Sequence, residues 1–414
     1  MHGLGVACGI AAGAWLGSAE APTKLVDAGY SPVVISLCMV AGVFTARWTL
    51  PTLMKGTRYV FADLLDKAHL IVWGILAGAL WAVANTLTVF AIKNVGLSIA
   101  FPLWNTNSLV GLLWGCLLFR ELRGAGVLTW VKVVGGGMAV VVATITLGLA
   151  SVHPSTGVST HAAAGVAAAL GASLLWGTMY LPYRKAYLSG MNPLSFVTVF
   201  TVGELTTMGI LAATIHGEGA STAVQLHLLR PEIFWLFLGG FCWVIGDMFQ
   251  QYATKYIGIG RGIPLSNTNQ LWGLAWGALV FGELHGVSDH SRTVIVASSL
   301  LMIAGAIAIG SASAARKEHL SVNDAIAREC DRYGLDYNQA VAAQAGLAHG
   351  DGDQRAWWDW LIIAAGIGIF VWLGIGAHRP PLEMNGRWIA ILMTAVLALL
   401  GASGWLLWKR TRFS

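Results

Sequence analysis

The sequence predicts an all-α polytopic membrane protein, in which ten helices form an inverted-repeat (5+5) bundle and two extra transmembrane helices follow at the C-terminus. Three observations support this fold class: the hydropathy of the chain, a series of apolar stretches of span length, and an internal repeat. Hydrophobic residues make up 56% of the 414 residues, charged residues make up 11%, and the mean hydropathy is +0.67. One soluble core cannot bury so much apolar surface, so the composition indicates a membrane protein.

Twelve apolar stretches are long enough to cross a bilayer as helices, which requires about 20 residues. They are centred near residues 13, 42, 80, 107, 138, 172, 204, 243, 270, 304, 367 and 397. None has the alternating pattern of barrel strands, and a helix satisfies its own backbone hydrogen bonds in lipid. The first stretch follows Met-His-Gly without a basic segment or a cleavage motif, so we expect a retained helix and no signal peptide.

The Lys and Arg residues predict the orientation of the chain. With a cytoplasmic N-terminus and twelve alternating spans, 19 of the 25 Lys and Arg residues fall on the cytoplasmic side and six fall outside. This positive-inside bias predicts a multi-pass protein of the cytoplasmic (inner) membrane with both termini in the cytoplasm. The net charge of +5 then needs no nucleic-acid partner. Four of the five cysteines lie inside spans, so no disulfides are expected.

An internal repeat relates the two halves of the chain. Residues 91–122 and 253–284 align at a constant offset of 162 with at least twelve identical pairs, including "PLWNTNSL" (102–109) against "PLSNTNQL" (264–271). A repeat of five spans is odd in number, so the second copy must enter the membrane from the opposite side. The predicted units are residues 1–152 and 160–315, then a cytoplasmic helical linker at 316–356 and two accessory helices with a basic tail at 357–414.

Inverted repeats occur in many secondary transporters, whose substrate sites lie near the membrane midplane. The triplets at 105–107 and 267–269, both Asn-Thr-Asn, stand at the centres of their spans, and a pseudo-twofold axis would bring them face to face. Asn carries donors and acceptors, so such a ring suits a neutral polyhydroxylated ligand. Alternatively, these side chains hold helices together. The predicted substrate-binding residues are Asn105, Thr106, Asn107, Ser108, Asn267, Thr268, Asn269, Gln270, Trp81, Asn85, Trp243 and Tyr180.

Two acidic residues lie at membrane depth. Glu204 falls at the middle of its span, and Asp247 lies a few residues to the cytoplasmic side of the middle of the next span. A charge at a helix centre costs about 2.5–3.5 kcal/mol on insertion scales, so such residues usually face an aqueous cavity and have a function. Neither has a basic residue at equal depth in the sequence. We therefore expect one of them to exchange a proton during transport, the alternative being that both stay protonated and hydrogen-bonded.

The remaining polar residues predict no cofactor, no metal site and no catalytic centre. None of the eleven His residues lies deep in a span, which removes the usual material of an intramembrane metal or acid–base site. Glu121 and Glu283, which end equivalent spans, are expected to hold loops in place rather than to bind a ligand. The spacing of Gly9, Gly13 and Gly17 indicates close helix packing.

Taken together, these motifs resemble the drug/metabolite transporter superfamily. The motifs are two inverted halves of five helices, W-x-x-x-N/D in the third helix of each half and P-L-x-N-T-N-x-L in the fourth. The stretch "KNVGLSIAFPLWNTNSLVG" (93–111) is similar to the glucose/ribose porter branch and its rhamnose-transporter relatives. The resemblance covers residues 1 to about 315 and implies a central cavity lined by helices 1, 3, 4, 6, 8 and 9. That branch often has Ser-Thr-Gly where this chain has Asn-Thr-Asn, so the lining expected here is richer in amides.

The function expected from the sequence is a secondary active transporter that moves a small polar metabolite, a sugar or a similar compound, by alternating access, either with proton symport or as a facilitative carrier. One alternative is a drug or metabolite exporter of the same fold, and another is an integral membrane enzyme. A channel is disfavoured because the repeat builds a pocket that is closed from either side. Beyond the resemblance, we expect helices at 321–334, with Ser321 as N-cap, and at 336–347. The last two spans should pack outside the carrier in the lipid bilayer, where they offer a surface for oligomerisation.

Overall fold

The computed structural model describes residues 1–26, 29–95, 100, 103–150, 162–215, 221–282, 288–312, 316–347, 355–378 and 382–413, and this part of the chain is all-helical. The helices are α1 (His2–Ser18), α2 (Glu20–Thr23), α3 (Pro32–Lys55), α4 (Arg58–Asp66), α5 (Leu70–Val95), α6 (Asn107–Leu118), α7 (Val127–Trp130), α8 (Gly136–Ala150), α9 (Ala162–Leu188), α10 (Pro193–Thr214), α11 (Thr222–Leu229), α12 (Ile233–Ile257), α13 (Ile259–Ser266), α14 (Asn269–Ala275), α15 (Asp289–Gly310), α16 (Arg316–Tyr333), α17 (Tyr337–Gln344), α18 (Trp357–Ile375) and α19 (Gly386–Thr411). A π-helical turn at Val131–Gly135 continues α7 into α8, and a second one at Trp276–Val280 extends α14.

Within the described residues, ten helical segments are long and apolar enough to cross a membrane. They coincide with ten of the twelve stretches predicted from hydropathy. The other two stretches, centred near residues 107 and 270, are helical but interrupted. The protein is therefore a multi-pass integral membrane protein.

The two interrupted segments break at equivalent positions. A turn at Asn105 and Thr106 precedes α6, and a turn at Asn267 and Thr268 separates α13 from α14. In both turns the threonine hydroxyl donates to the carbonyl three residues earlier, at 2.7 Å in each case. Such local side-chain bonds compete with the helical pattern. The backbone also tightens there to bonds between residues three apart, so the Asn-Thr-Asn sequence itself marks the break.

Helices of the first half pack on helices of the second half in matching pairs. α1 packs on α12 as α9 packs on α5, and α3 packs on α12 as α10 packs on α5. Glycines allow the close approach: a Cβ added at Gly17 would overlap the carbonyl of Asn269, and a Cβ at Gly177 would meet the carbonyl of Asn107. The glycines that the sequence singled out for helix packing thus lie at helix crossings.

Equivalent hydrogen bonds accompany these crossings. The indole nitrogen of Trp114 donates to the hydroxyl of Thr178 at 3.2 Å, and the indole nitrogen of Trp276 donates to the hydroxyl of Ser18 at 2.9 Å. Trp114 and Trp276 are a pair in the sequence repeat, and Ser18 and Thr178 each follow a glycine, Gly17 or Gly177, that lies at a helix crossing. The two contacts are thus equivalent in the repeat, and each joins a residue of one half to a residue of the other.

The helix that follows α15 begins earlier than the sequence indicated. α16 starts at Arg316, so Ser321 lies inside the helix and the expectation that it is the N-cap is wrong. The residues before it, Arg-Lys-Glu-His-Leu, include strong helix formers that extend the helix backwards. The predicted end is correct, since Gly334 follows α16 with φ of +67°. Asp336 caps α17, its carboxylate accepting a 2.8 Å bond from the backbone N–H of Gln339.

α16 and α17 dock on one face of the bundle. Ile326 and Cys330 of α16 are buried against Leu188 at the end of α9. The ammonium of Lys185 lies 2.8 Å from the carboxylate of Glu329. The carbonyl of Phe413, near the end of the chain, accepts bonds on this face from Asn192 at 2.8 Å and from Tyr252 at 3.1 Å. We call this the termini face, because His2 also bonds there, to the carbonyl of Gly310 at 2.8 Å.

The last two membrane helices lie at the edge of the bundle. α18 packs on α3 and α12 through Gly366 against Thr49, and through the ring of Phe370, whose centroid is 5.1 Å from that of Phe237. α19 packs on α1. Only 11% and 17% of the residues in the most apolar windows of α18 and α19 are buried, against 78% for the first span. Most of their surface is therefore left to lipid.

Candidate functional site

A small cavity lies at the two helix breaks, between α1, α9 and α12. Its volume is about 60 Å³, which is below the roughly 300–1,000 Å³ of typical ligand pockets. A few waters fit in this volume, since each needs about 10–15 Å³. The lining residues are Leu16, Glu20, Trp104, Asn105, Asn107, Trp176, Met179, Tyr180, Trp243, Gln250, Asn267 and Asn269.

The two asparagine triplets face each other at this cavity. The side-chain nitrogen of Asn267 lies 2.8 Å from the side-chain oxygen of Asn107, 2.7 Å from the hydroxyl of Ser108 and 2.9 Å from the carbonyl of Asn105. An amide nitrogen has two protons, so three acceptors compete for two donors. Asn105 in turn donates to the side chain of Gln270 at 3.2 Å. The two helix breaks are thus held together by amide contacts.

Six of the twelve residues predicted to bind substrate line the cavity. They are Asn105, Asn107, Asn267, Asn269, Tyr180 and Trp243. The side-chain oxygen of Asn269 is buried and has no hydrogen-bond partner among the described residues. Because an unsatisfied buried acceptor is costly, this oxygen is an open position for a donor from water or a ligand.

The other six lie behind the cavity wall. The hydroxyl of Thr106 lies 2.8 Å from that of Ser173, and Thr268 faces Gly13 across the α1 crossing. Asn85 donates to the hydroxyl of Ser36 at 3.1 Å. The remaining three contact lining residues, Ser108 and Gln270 through hydrogen bonds and Trp81 through its ring, whose centroid is 4.9 Å from that of Trp243. These six side chains join helices, which is the alternative role considered for the polar residues.

Several lining residues escaped the sequence reasoning. Trp104 and Trp176 meet edge to face with centroids 6.0 Å apart. Gln250 donates to Ser266 at 2.5 Å, beside the second break. Trp104 directly precedes the first triplet, and that position is the one sequence signal that could have identified it. Glu20 of α2 also reaches the cavity.

A second polar cluster lies beside the cavity. Arg47 of α3 forms an ion pair of 2.8 Å with Asp247 of α12, and both side chains are 0% exposed. The expectation that Asp247 has no basic residue at its depth is therefore wrong. α3 continues for eight residues beyond Arg47 to Lys55, about 12 Å of helix, so Arg47 lies well inside the span. Gln251 also donates to Asp247, at 3.0 Å.

Glu204 of α10 belongs to the same buried region. Its side chain is 0% exposed, and neither carboxyl oxygen has a hydrogen-bond partner among the described residues. The Arg47 guanidinium lies over the ring of Phe200, 3.9 Å from its centroid. Phe200 is one helical turn before Glu204 and shares its helix face. The two acids predicted from the sequence are therefore neighbours of one arginine, but only Asp247 is bonded to it.

Glu121 bridges the two halves on the termini face. Its carboxylate oxygens accept bonds from the backbone N–H groups of Ile259 at 2.9 Å and Gly260 at 2.8 Å, the first residues of α13. This satisfies free N–H groups at a helix start and places a negative charge at the positive end of the dipole. Glu121 thus has the positioning role expected of it. Its repeat counterpart Glu283 lies outside the described residues.

Across the described part of the chain, no cluster of three or more His, Cys, Asp and Glu side chains is placed to hold a metal ion.

Residues 163–309 match the model of the EamA-like transporter family. The match lies within the second predicted five-helix unit and covers a third or so of the chain. It confirms, for this domain, the resemblance to the drug/metabolite transporter superfamily.

Similar proteins of known name are sugar uptake proteins. A Lactobacillus johnsonii protein named for sugar uptake is 32% identical over 100 residues, which are 23% of this chain and 34% of that protein. GlcU of Staphylococcus epidermidis, named for glucose uptake, is 25% identical over 266 residues, 59% of this chain and 85% of the relative. The glucose uptake protein GlcU of Staphylococcus xylosus is 23% identical over 224 residues, 53% of this chain and 70% of the relative. The chain thus spans about a third of the first protein and most of the other two.

One solved structure, described as "Crystal structure of protein", superposes on 73% of this chain and 95% of that chain, with 14% sequence identity and a TM-score of 0.46. The family and the names of the relatives point to a membrane transporter rather than to an enzyme.

Proposed function

We propose that the protein is a secondary carrier for a small, neutral, polyhydroxylated solute, a sugar or a sugar-like compound, which it moves by alternating access. The observation that carries this proposal is the pairing of Asn107 with Asn267 at the cavity, where two broken helices from opposite halves meet. Broken helices that meet near the midplane are how many carriers expose polar groups to a solute inside the membrane.

The matching contacts of the two halves support alternating access. One operation that swaps the halves converts the Trp114–Thr178 bond into the Trp276–Ser18 bond. The same operation converts the pairing of α1 with α12 into the pairing of α9 with α5. Two equivalent units of opposite orientation, residues 1–152 and 160–315, supply two packings of similar energy. In one packing the cavity opens toward one side of the membrane, and in the other packing it opens toward the opposite side. We assign the termini face to the cytoplasm because most Lys and Arg residues fall on that side.

The chemistry of the lining favours an uncharged solute with several hydroxyl groups. Amide side chains at 105, 107, 250, 267 and 269 offer donors and acceptors together, as a hydroxyl group requires. The rings of Trp104, Trp176, Trp243 and Tyr180 supply flat apolar faces for the C–H side of a sugar ring. The names of the relatives agree with this solute class.

The size of the cavity fits a closed conformation. A volume of about 60 Å³ leaves no room for a monosaccharide, so a solute must replace the Asn107–Asn267 contact and separate the helix breaks. The competition of three acceptors for one amide nitrogen makes this contact easy to rearrange.

Binding and transport can be measured on the purified protein. We expect D-glucose, or another sugar in a panel that includes amino acids, nucleosides and cationic drugs, to raise the melting temperature, because a ligand of the folded state stabilises it. The variant Asn269→Ala should lose this shift while its own melting temperature changes little, since its oxygen has no protein partner. Thr146→Val is the matched control, because Thr146 bonds Ser298 between α8 and α15, away from the cavity.

Saturable uptake of the same sugar into vesicles should follow the shift and should be competed by unlabelled sugar. A shift with cationic drugs alone, together with outward drug movement in cells, would instead favour the exporter of the same fold. No shift with any sugar, or an unchanged shift in Asn269→Ala, contradicts the proposed site.

A further inference from the structure

The buried cluster beside the cavity contains one basic and two acidic side chains. Arg47, Asp247 and Glu204 come from α3, α12 and α10 and are all 0% exposed. With every group ionised, the cluster would carry a net charge of −1 in a closed protein interior, which is strongly unfavourable without further partners. One proton on one of the two acids makes the cluster neutral.

The hydrogen bonds decide which acid holds that proton. Asp247 accepts from Arg47 at 2.8 Å and from Gln251 at 3.0 Å. Gln251 is itself held by the hydroxyl of Tyr187. Glu204 has no such partner on either oxygen among the described residues. Bonds from donors favour the ionised form of Asp247, whereas burial without bonds favours the neutral form of Glu204.

Among the described residues, Trp243 connects the cluster to the cavity. The indole of Trp243 lines the cavity, and the Arg47 guanidinium lies 5.5 Å from the centre of its ring. The same guanidinium lies 3.9 Å from the centre of the Phe200 ring. A solute that displaces Trp243 therefore changes the surroundings of the only cation of the cluster.

We propose that Glu204 is the proton-carrying group of the carrier, that Asp247 remains the fixed counter-ion of Arg47, and that Trp243 links the solute cavity to this pair. This inference rests on the proposed function. Glu204 takes a proton from water while the cavity is open to one side and keeps it in the closed conformation. It gives this proton to water when the cavity opens to the other side, where Arg47 moves toward the new carboxylate. One proton then crosses with each cycle.

The elements packed against α10 present few other groups that titrate or carry charge. Arg47 and Asp247 face Glu204 from α3 and α12, and Tyr183 of α9 lies 5.8 Å from the ring of Phe200. α5 crosses α10 through Gly78, whose added Cβ would meet the backbone of Glu204. Asp63 of α4 contacts only the first turn of α10, through Asn192 and Ser195. Proton exchange at this site therefore depends on the Arg47–Asp247 pair.

Infrared spectroscopy of the purified protein tests the assignment without a solute. A protonated carboxyl group has its own C=O stretching band. We expect this band in the wild-type protein at neutral pH, its loss in Glu204→Gln, and its persistence in Glu383→Gln, a control at an exposed carboxyl outside the spans. Asp247→Asn, where it folds, should keep the band of Glu204. If Glu204→Gln keeps the full wild-type band, Glu204 is not protonated and the inference is overturned.

Transport provides the second measurement. In vesicles with an imposed pH gradient, the wild-type protein should accumulate D-glucose, and Glu204→Gln should lose this accumulation while retaining exchange of labelled for unlabelled glucose. Accumulation by Glu204→Gln equal to that of the wild type would overturn the inference even with sugar transport established. If neither protein moves glucose or any other sugar, the proposed function fails, while the infrared result still decides the protonation of Glu204.

Discussion

The side-chain nitrogen of Asn267 lies 2.8 Å from the side-chain oxygen of Asn107, so the first residue of one triplet bonds the last residue of the other. In the repeat, Asn105 is the equivalent of Asn267, and Asn269 is the equivalent of Asn107, so the equivalent pair is Asn105 with Asn269. That second bond is not made: Asn105 donates to Gln270, and the oxygen of Asn269 has no partner among the described residues. The contacts around the cavity are therefore asymmetric although the flanking helices match. We interpret the structure as one of two conformations, in which one pair is closed and the other is open.

The closed and open pairs should respond differently to mutation. Asn107→Ala removes an acceptor that Asn267 uses, so we expect it to destabilise this conformation by about 0.5–1.5 kcal/mol. Asn269→Ala should have an effect close to zero, because its oxygen accepts no bond from the described protein. Denaturant or thermal unfolding in detergent measures both. Equal destabilisation by the two variants would contradict the asymmetry.

The Arg47–Asp247 pair should be sensitive to the loss of one partner and tolerant of joint replacement. Asp247→Ala leaves a buried cation without its anion, and removal of one partner of a buried pair typically costs about 3–5 kcal/mol. The double variant Arg47→Met with Asp247→Leu removes both charges at similar volume, so it should recover much of that stability. Unfolding of the single and double variants measures the coupling. Additive losses in the double variant would show that the two side chains do not interact.

Glycines at helix crossings and glycines facing lipid give a matched pair. Gly17→Ala places a methyl group against the Asn269 carbonyl and Trp272, so it should force α1 away from the second break and strongly reduce the yield of folded protein. Gly404 lies in α19, and a methyl group added there by Gly404→Ala would have no neighbouring atom within 4 Å. It should be neutral or slightly stabilising, by up to about 1 kcal/mol, because Ala is the better helix former. Size-exclusion profiles of the two variants show the difference; a normal profile for Gly17→Ala would contradict the crossing.

Docking of α16 on the termini face should weaken in acid. His69 stacks on Tyr333 with ring centroids 3.8 Å apart. Burial, and then the nearby Lys185, lower the pKa of His69 below its ordinary value of 6.5. Above pH 6.5 the His69 ring is neutral whether α16 is docked or free, so the docked state has its full stability. Below pH 6.5 the free state binds a proton first, and stability is lost as the pH falls toward the lower pKa of the docked state.

Hydrogen exchange of α16 between pH 7.5 and 5.5, with rates corrected for the intrinsic effect of pH, measures this docking. Opening should increase in the wild-type protein, and His69→Phe should remove the pH dependence while it keeps the ring stack. An equal pH dependence in both proteins would assign the effect to other groups.

The sequence predicted the features that depend on hydropathy and on the repeat. The spans, the position of both Asn-Thr-Asn triplets and their encounter across the halves follow from apolar length and from the offset of 162 residues. The Arg47–Asp247 pair was missed because the depth of a residue was counted from the end of an apolar stretch, while α3 extends to Lys55. The helix breaks were missed because the hydropathy of these segments is continuous, whereas the break arises from threonine side chains that bond the backbone. The division of the triplets into lining asparagines and packing threonines depends on helix rotation, which a central position in a span does not determine.

The bond from Asn192 to the carbonyl of Phe413 joins residues 221 positions apart in the chain. At about 5–20 residues per second, a ribosome needs roughly 11 to 44 s to make the intervening segment. During that interval Asn192, and later Tyr252 of α12, are made before the residue whose carbonyl they bond. The membrane helices made in that interval must therefore insert with this surface still open.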